Sequence, residues 1–142
     1  MKRIAILLLA ALAPTGGCGL VENPSPEEAR LVLEGEAGKQ VRIIVSTKFV
    51  AAVNEARQTE LVLFEADTII TTLPYSQSYA IEDDQRFFAE AARLDADLES
   101  IHMEVLIDRD VEFAEGGSLL EGAPFRFAYT FNQPITREIV VL

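Results

Sequence analysis

The feature that most constrains this 142-residue chain is apolar alternation with a period of two, repeated in short runs from Leu31 to Phe131. Only an extended strand places every second side chain on one face. Ile101, Met103, Val105 and Ile107 are the cleanest case, with His102 and Glu104 on the opposite side. Leu31 and Leu33 repeat the pattern, as do Val41, Ile43 and Val45, and then Phe125, Phe127, Tyr129 and Phe131. Shorter apolar, β-branched or aromatic runs lie at 61–64, 68–73 and 75–81. Turn residues punctuate them: Gly35 to Lys39, Pro74, Glu82 to Gln85, and Asp108-Arg109-Asp110. The Leu31–Leu33 and Val41–Val45 runs, separated by a Gly turn, read as a hairpin.

Residues 86–100 (RFFAEAARLDADLES) carry two patterns at once. Phe87, Ala91, Leu94, Leu98 and Ile101 fall at helical spacing, whereas Phe88, Glu90 and Ala92 alternate as in a strand. Short strands on either side favour the strand, with Leu94 to Leu98 as a loop and a central hairpin to the 101–107 strand. The sum is all-β: an Ig-like antiparallel β-sandwich of about seven strands over residues 29–142. The terminal Ile139-Val140-Val141-Leu142 run is expected to pair on a sheet edge or cover a groove.

Ahead of this domain lies an address. Lys2 and Arg3 precede an apolar run from Ile4 to Ala13, then Pro14 and the small residues Thr15-Gly16-Gly17. This is the anatomy of a secretory signal, and its apolar run is half the ~20 residues a membrane-crossing helix needs. The only cysteine, Cys18, follows directly. The arrangement resembles the bacterial lipobox, with Thr15 where Leu is commonest. It implies a lipoprotein signal peptide over 1–17, acylation of Cys18, and a mature chain held on a membrane by two or three acyl chains. Plain secretion is the alternative. Gly19, being other than Asp, favours the outer membrane by the Gram-negative sorting rule. Residues 18–28, with Asn23-Pro24 and Ser25-Pro26, read as the anchor and an extended tether.

Removal of Lys2 and Arg3 leaves 10 basic against 23 acidic residues, a net charge of −13. Such a chain is unsuited to nucleic acid, whose phosphates must be neutralised, and to anionic lipid surfaces. One Cys excludes an intrachain disulfide and a multi-Cys zinc site, and one His excludes a His-rich metal site. No nucleophile motif, H-E-x-x-H or phosphate loop is present, so no catalytic residue and no cofactor is expected. His102 reads as a structural residue. Asp95, Asp97 and Glu99 are weak Ca²⁺ candidates, because hard carboxylate oxygens suit that ion, but the EF-hand spacing is missing and a solvated acidic loop is the default. The Phe125–Phe131 stripe reads as core, with a lipid-lined pocket as the alternative. Tyr75 and Tyr79 are candidates for a partner-facing edge or a sandwich corner.

Three steps give the chain a resemblance to a known family: Gly35-Glu36-Ala37-Gly38, Leu73-Pro74-Tyr75-Ser76, and Val105-Leu106-Ile107-Asp108. In their order they resemble the small Ig-like lipoproteins of the MmpS type, accessory proteins of bacterial lipid exporters. The family's usual Gly after the Asp is replaced by Arg109, and the Cys pair of some members is absent. The resemblance implies the sandwich fold, an extracytoplasmic setting, and an envelope protein or transporter as partner. The expected function is a lipid-anchored, non-enzymatic binding or accessory module facing the periplasm. The alternative is a small carrier that holds a hydrophobic ligand or lipid between its sheets.

Overall fold

The structure is a computed structural model that describes residues 25–81, 86–118, 123–130, 133–136 and 138–142. The expected signal segment (residues 1–17), Cys18 and the expected turn at 82–85 lie outside the described residues. Those described form twelve strands and no helix. In chain order they are β1 (Glu28–Gly35), β2 (Gln40–Ser46), β3 (Lys48–Val53), β4 (Thr59–Phe64), β5 (Asp67–Thr72), β6 (Tyr75–Ala80), β7 (Arg86–Arg93), β8 (Ser100–Ile107), β9 (Asp110–Ser118), β10 (Phe125–Thr130), β11 (Gln133–Pro134) and β12 (Ile139–Val141). The first sheet has the order β6-β1-β8-β9 and the second β11-β10-β7-β2-β5, both antiparallel throughout. Their inner faces pack into a β-sandwich, as the alternation predicts.

The core follows from the pattern. Leu31, Leu33, Met103 and Val105 come from the first sheet and Val41, Ile43, Phe87 and Ala89 from the second, all fully buried in one cluster. Each such side chain contributes about 1.5–3 kcal/mol through burial. Phe127 and Tyr129 join them, so this part of the aromatic stripe is core, while Phe131 lies outside the described residues. Burial, followed by the Glu112 and Asp108 charges, raises the Tyr129 phenol above its ordinary pKa.

Two expected hairpins are absent. β1 and β2 belong to different sheets, and so do β7 and β8. Alternation says which face of a strand is buried but not what lies beside it, and here the paired runs meet face to face across the core. The 35–39 turn bonds instead to Leu73: Gly38 N–H donates to the Leu73 carbonyl (3.0 Å) and Leu73 N–H to the Lys39 carbonyl (2.9 Å). The packing favours glycine at 35, because a Cβ there would lie 2.8 Å from Leu73 Cδ1 and 3.1 Å from the Ser100 carbonyl, and both would have to give way.

Residues 86–93 are a strand, as the alternation predicts against the helical spacing. The conflict of patterns has a cause: β7 is buried on both faces. Phe87, Ala89 and Ala91 face the sandwich core, and Phe88 lies in a second cluster with Phe49, Leu61, Ala128 and Ile139. A strand covered on both sides loses the polar half of its alternation.

The second cover is a third sheet, of order β12-β4-β3, which the sequence reading does not anticipate. The chain leaves the second sheet after β2, forms the β3–β4 hairpin, and returns as β5. Ser46 secures the crossing. Its buried hydroxyl accepts the Lys48 N–H (3.1 Å) and lies 2.9 and 3.0 Å from the Lys48 and Phe64 carbonyls. The apolar C-terminus pairs with β4, in parallel.

The β8–β9 turn carries a measurable strain. Ile107 pairs with Asp110, and the two residues between have positive φ, 48° at Asp108 and 82° at Arg109, as in a type I′ turn. Asp enters this region more readily than most residues do. The Asp108 carboxylate accepts the Glu27 and Glu28 N–H groups at 2.9 and 3.0 Å, tying the start of β1 to the turn. Arg109 has no such compensation. Arg109→Gly is expected to raise stability by about 1 kcal/mol, read as a higher urea midpoint at unchanged slope; a lower midpoint would contradict the turn assignment.

Candidate functional site

The third sheet covers only part of the second sheet's outer face. Ile44, Phe88 and Ala128 pack beneath it. Where the cover ends, the same face turns polar. Arg42 on β2, Glu90 on β7 and Arg126 on β10 meet there, and Glu90 stands directly opposite Arg126 in the strand register. Arg42 Nη2 donates to Glu90 Oε1 at 3.1 Å and Arg126 Nε to Glu90 Oε2 at 2.8 Å. The carboxylate is 5% exposed, against 44% and 31% for the two guanidinium side chains. Arg126 also donates from Nη1 to the Ile139 carbonyl (2.9 Å), holding β12 to the second sheet.

These three side chains line a concavity of about 220 Å³ with Ala92, Leu94 and Pro124. A larger open groove of about 680 Å³ lies on the other side of Arg126, where Phe113 meets Phe127 with ring centroids 5.3 Å apart. Glu112, Glu115 and Glu138 also line that groove. Sequence reading missed the Arg42–Glu90–Arg126 cluster. Its one signal was Glu90, a carboxylate inside the apolar run FFAEAA, since a buried charge requires a cation partner.

Other singled-out residues fall elsewhere. Asp95 accepts the Gln40 backbone N–H at 2.7 Å and Asp97 takes the Lys39 ammonium, while Glu99 is exposed. Among the described residues no three Asp, Glu, His or Cys side chains converge as metal ligands. His102 is half-buried opposite Gly116 on the outer face of the first sheet, whereas Glu90 belongs to the second. Tyr75 and Tyr79 lie on β6, an edge of the first sheet, with their hydroxyls 2.6 Å apart. Burial and this bond raise the Tyr79 phenol far above its usual range.

The Lys39–Asp97 pair predicts its own titration. The hydrogen bond from Lys39 and then its charge hold Asp97 below the ordinary carboxylate range, and the same bond raises Lys39. The pair's contribution is therefore present at neutral pH. It fades as acid protonates Asp97 below its depressed value, and as base deprotonates Lys39 above its raised one. In Lys39→Met the Asp97 carboxyl is expected to titrate in the ordinary range by NMR; an unchanged value would exclude Lys39 as the cause.

The outer face of the third sheet carries an apolar patch between Lys48 and Glu60. Val50, Val62 and Phe64 are exposed, Phe64 by 49%, and Val50 and Val62 are cross-strand partners. β3 ends this sheet, and Val53 at its tip is 56% exposed. No family model matches the chain, and no curated protein matches it.

Proposed function

We propose that this chain is a lipid-anchored extracytoplasmic β-sandwich that binds or supports another component of the bacterial envelope, without catalysis of its own. The anchor rests on the tripartite N-terminus ending at Cys18, the chain's only cysteine. The membrane is then held through acyl chains rather than through charge, in keeping with the acidic balance. Outer-membrane attachment follows from Gly19 if the cell has two membranes.

The observation that carries a binding module over a lipid carrier is the filled interior. Leu31, Leu33, Ile43, Phe87, Met103 and Val105 meet between the sheets with no exposure, and the concavities of about 680, 390 and 350 Å³ open to the outside. Exposed apolar surface lies instead on the third sheet, where contact with a partner would bury it. An exporter-type partner, as in the MmpS-type lipoproteins, is the most specific form of this reading.

The carrier alternative makes a separate prediction. Full-length protein purified from membranes and extracted with organic solvent is expected to release non-covalent lipid far below one molecule per chain. Release of one lipid per chain would overturn the module reading in favour of the carrier.

A further inference from the structure

We propose that the concavity at Arg42, Glu90 and Arg126 binds a small oxyanion, a phosphate monoester or carboxylate, attached to an apolar body. The argument begins with a charge count. Two guanidiniums share one buried carboxylate, leaving a local excess of one positive charge in a chain whose net charge is −11. A third guanidinium, Arg93, borders the same concavity and, among the described residues, bonds the Ala96 carbonyl at 3.3 Å. Among the described residues, three guanidiniums border this concavity against one carboxylate, Glu112, Glu115 and Glu138 lying in the neighbouring groove across Arg126.

Unused donors carry the argument further. A guanidinium presents five N–H groups in a fixed fork. Arg42 engages Glu90 through Nη2 alone. Arg126 engages Glu90 through Nε and Ile139 through Nη1, and its Nη2 meets no acceptor among the described residues. Such forks match the paired oxygens of phosphate and carboxylate. Glu90 acts as a positioning residue that fixes both forks, because its two oxygens each take one of them.

The remaining wall selects the rest of the ligand. Ala92, Leu94, Ala123 and Pro124 are apolar, and Leu94 is 45% exposed. A volume of about 220 Å³ suits a headgroup-sized anion and a few carbons. The acidic surface repels anions at long range, but physiological salt screens this beyond about 8 Å. Contact hydrogen bonds inside the concavity are screened far less.

The test uses the full chain in an uncharged detergent, titrated calorimetrically with inorganic phosphate, with hexyl phosphate, and with dodecyl phosphate mixed into the micelles. Saturable 1:1 binding of hexyl phosphate, tighter than inorganic phosphate, is expected for a free amphiphilic ligand. Binding of dodecyl phosphate alone would assign the same chemistry to a lipid headgroup. Arg42→Gln is expected to weaken binding at least tenfold, and Arg30→Gln, on the outer face of the other sheet, to leave it unchanged. Should Arg42→Gln fail to fold, Arg42→Lys keeps the charge without the fork and is expected to weaken binding several-fold. No saturable binding of any probe, or equal losses in the Arg30 and Arg42 variants, would overturn the proposal.

Discussion

Glu90→Gln is expected to destabilise the domain by about 3 kcal/mol, the lower end of the cost of breaking a buried ion pair. The lower end applies because Arg42 and Arg126 keep 44% and 31% side-chain exposure and regain water when the carboxylate is lost. Glutamine preserves the shape and one acceptor oxygen but leaves two guanidiniums facing one another without a counter-charge. Urea unfolding checks the value. Joint replacement of Arg42 and Arg126 by Met and Glu90 by Leu is expected to cost less than Glu90→Gln alone, because no unpaired charge then remains. A loss below about 0.5 kcal/mol for Glu90→Gln, the range of an ordinary surface change, would remove Glu90 from its place as the anchor of this face.

Phe88→Ala is expected to cost about 3–5 kcal/mol, as for other buried aromatic truncations, with an uneven distribution. Phe88 is fully buried, on the outer side of β7, against Phe49, Leu61, Ala128 and Ile139. Its loss undermines the cover rather than the sandwich. Amide hydrogen exchange should therefore accelerate most in β3, β4 and β12, with β1 and β8 changed less. The neighbouring Phe87→Ala should act in the opposite sense, loosening β1, β2 and β8 together, because Phe87 faces the main core. A uniform rise in exchange from both variants would mean that the third sheet is not a separable layer.

These adjacent phenylalanines also show what the sequence could and could not disclose. Strand identity was legible wherever one face met the core and the other met solvent, as in β8, where Ile101, Met103, Val105 and Ile107 alternate with half-exposed neighbours. It was blurred in β7, where two layers bury both faces and five successive residues are buried. β9 was invisible for the opposite reason: among its nine residues only Phe113 is even half-buried, so no alternation marks it. Partnership between strands was not legible at all. The Leu31 and Val41 runs satisfy the same core whether they lie side by side or face to face, and the chain adopts the second arrangement.

The candidate site was hidden by the same limit. Arg42, Glu90 and Arg126 are 48 and 36 residues apart in sequence, and only the β2-β7-β10 order brings them together. A lone Glu in an apolar strand announces that some cation must be near, without naming it. By contrast, the positive-φ turn at Asp108-Arg109 was visible as a turn, since Asp favours such positions. The N-terminal signal reading is of another kind: it rests on a local pattern, because a signal segment is read before folding and depends on no long-range contact, and the fold bears on it neither way.

The central claim, an envelope protein held by its own acylated cysteine, is tested most directly by intact mass. The protein would be extracted from membranes and compared with a Cys18→Ser variant. The account predicts a chain shortened by residues 1–17 and heavier than its polypeptide by two or three acyl groups, with that addition missing from the variant. An unmodified chain from the wild-type gene, whether cleaved or intact, would contradict it.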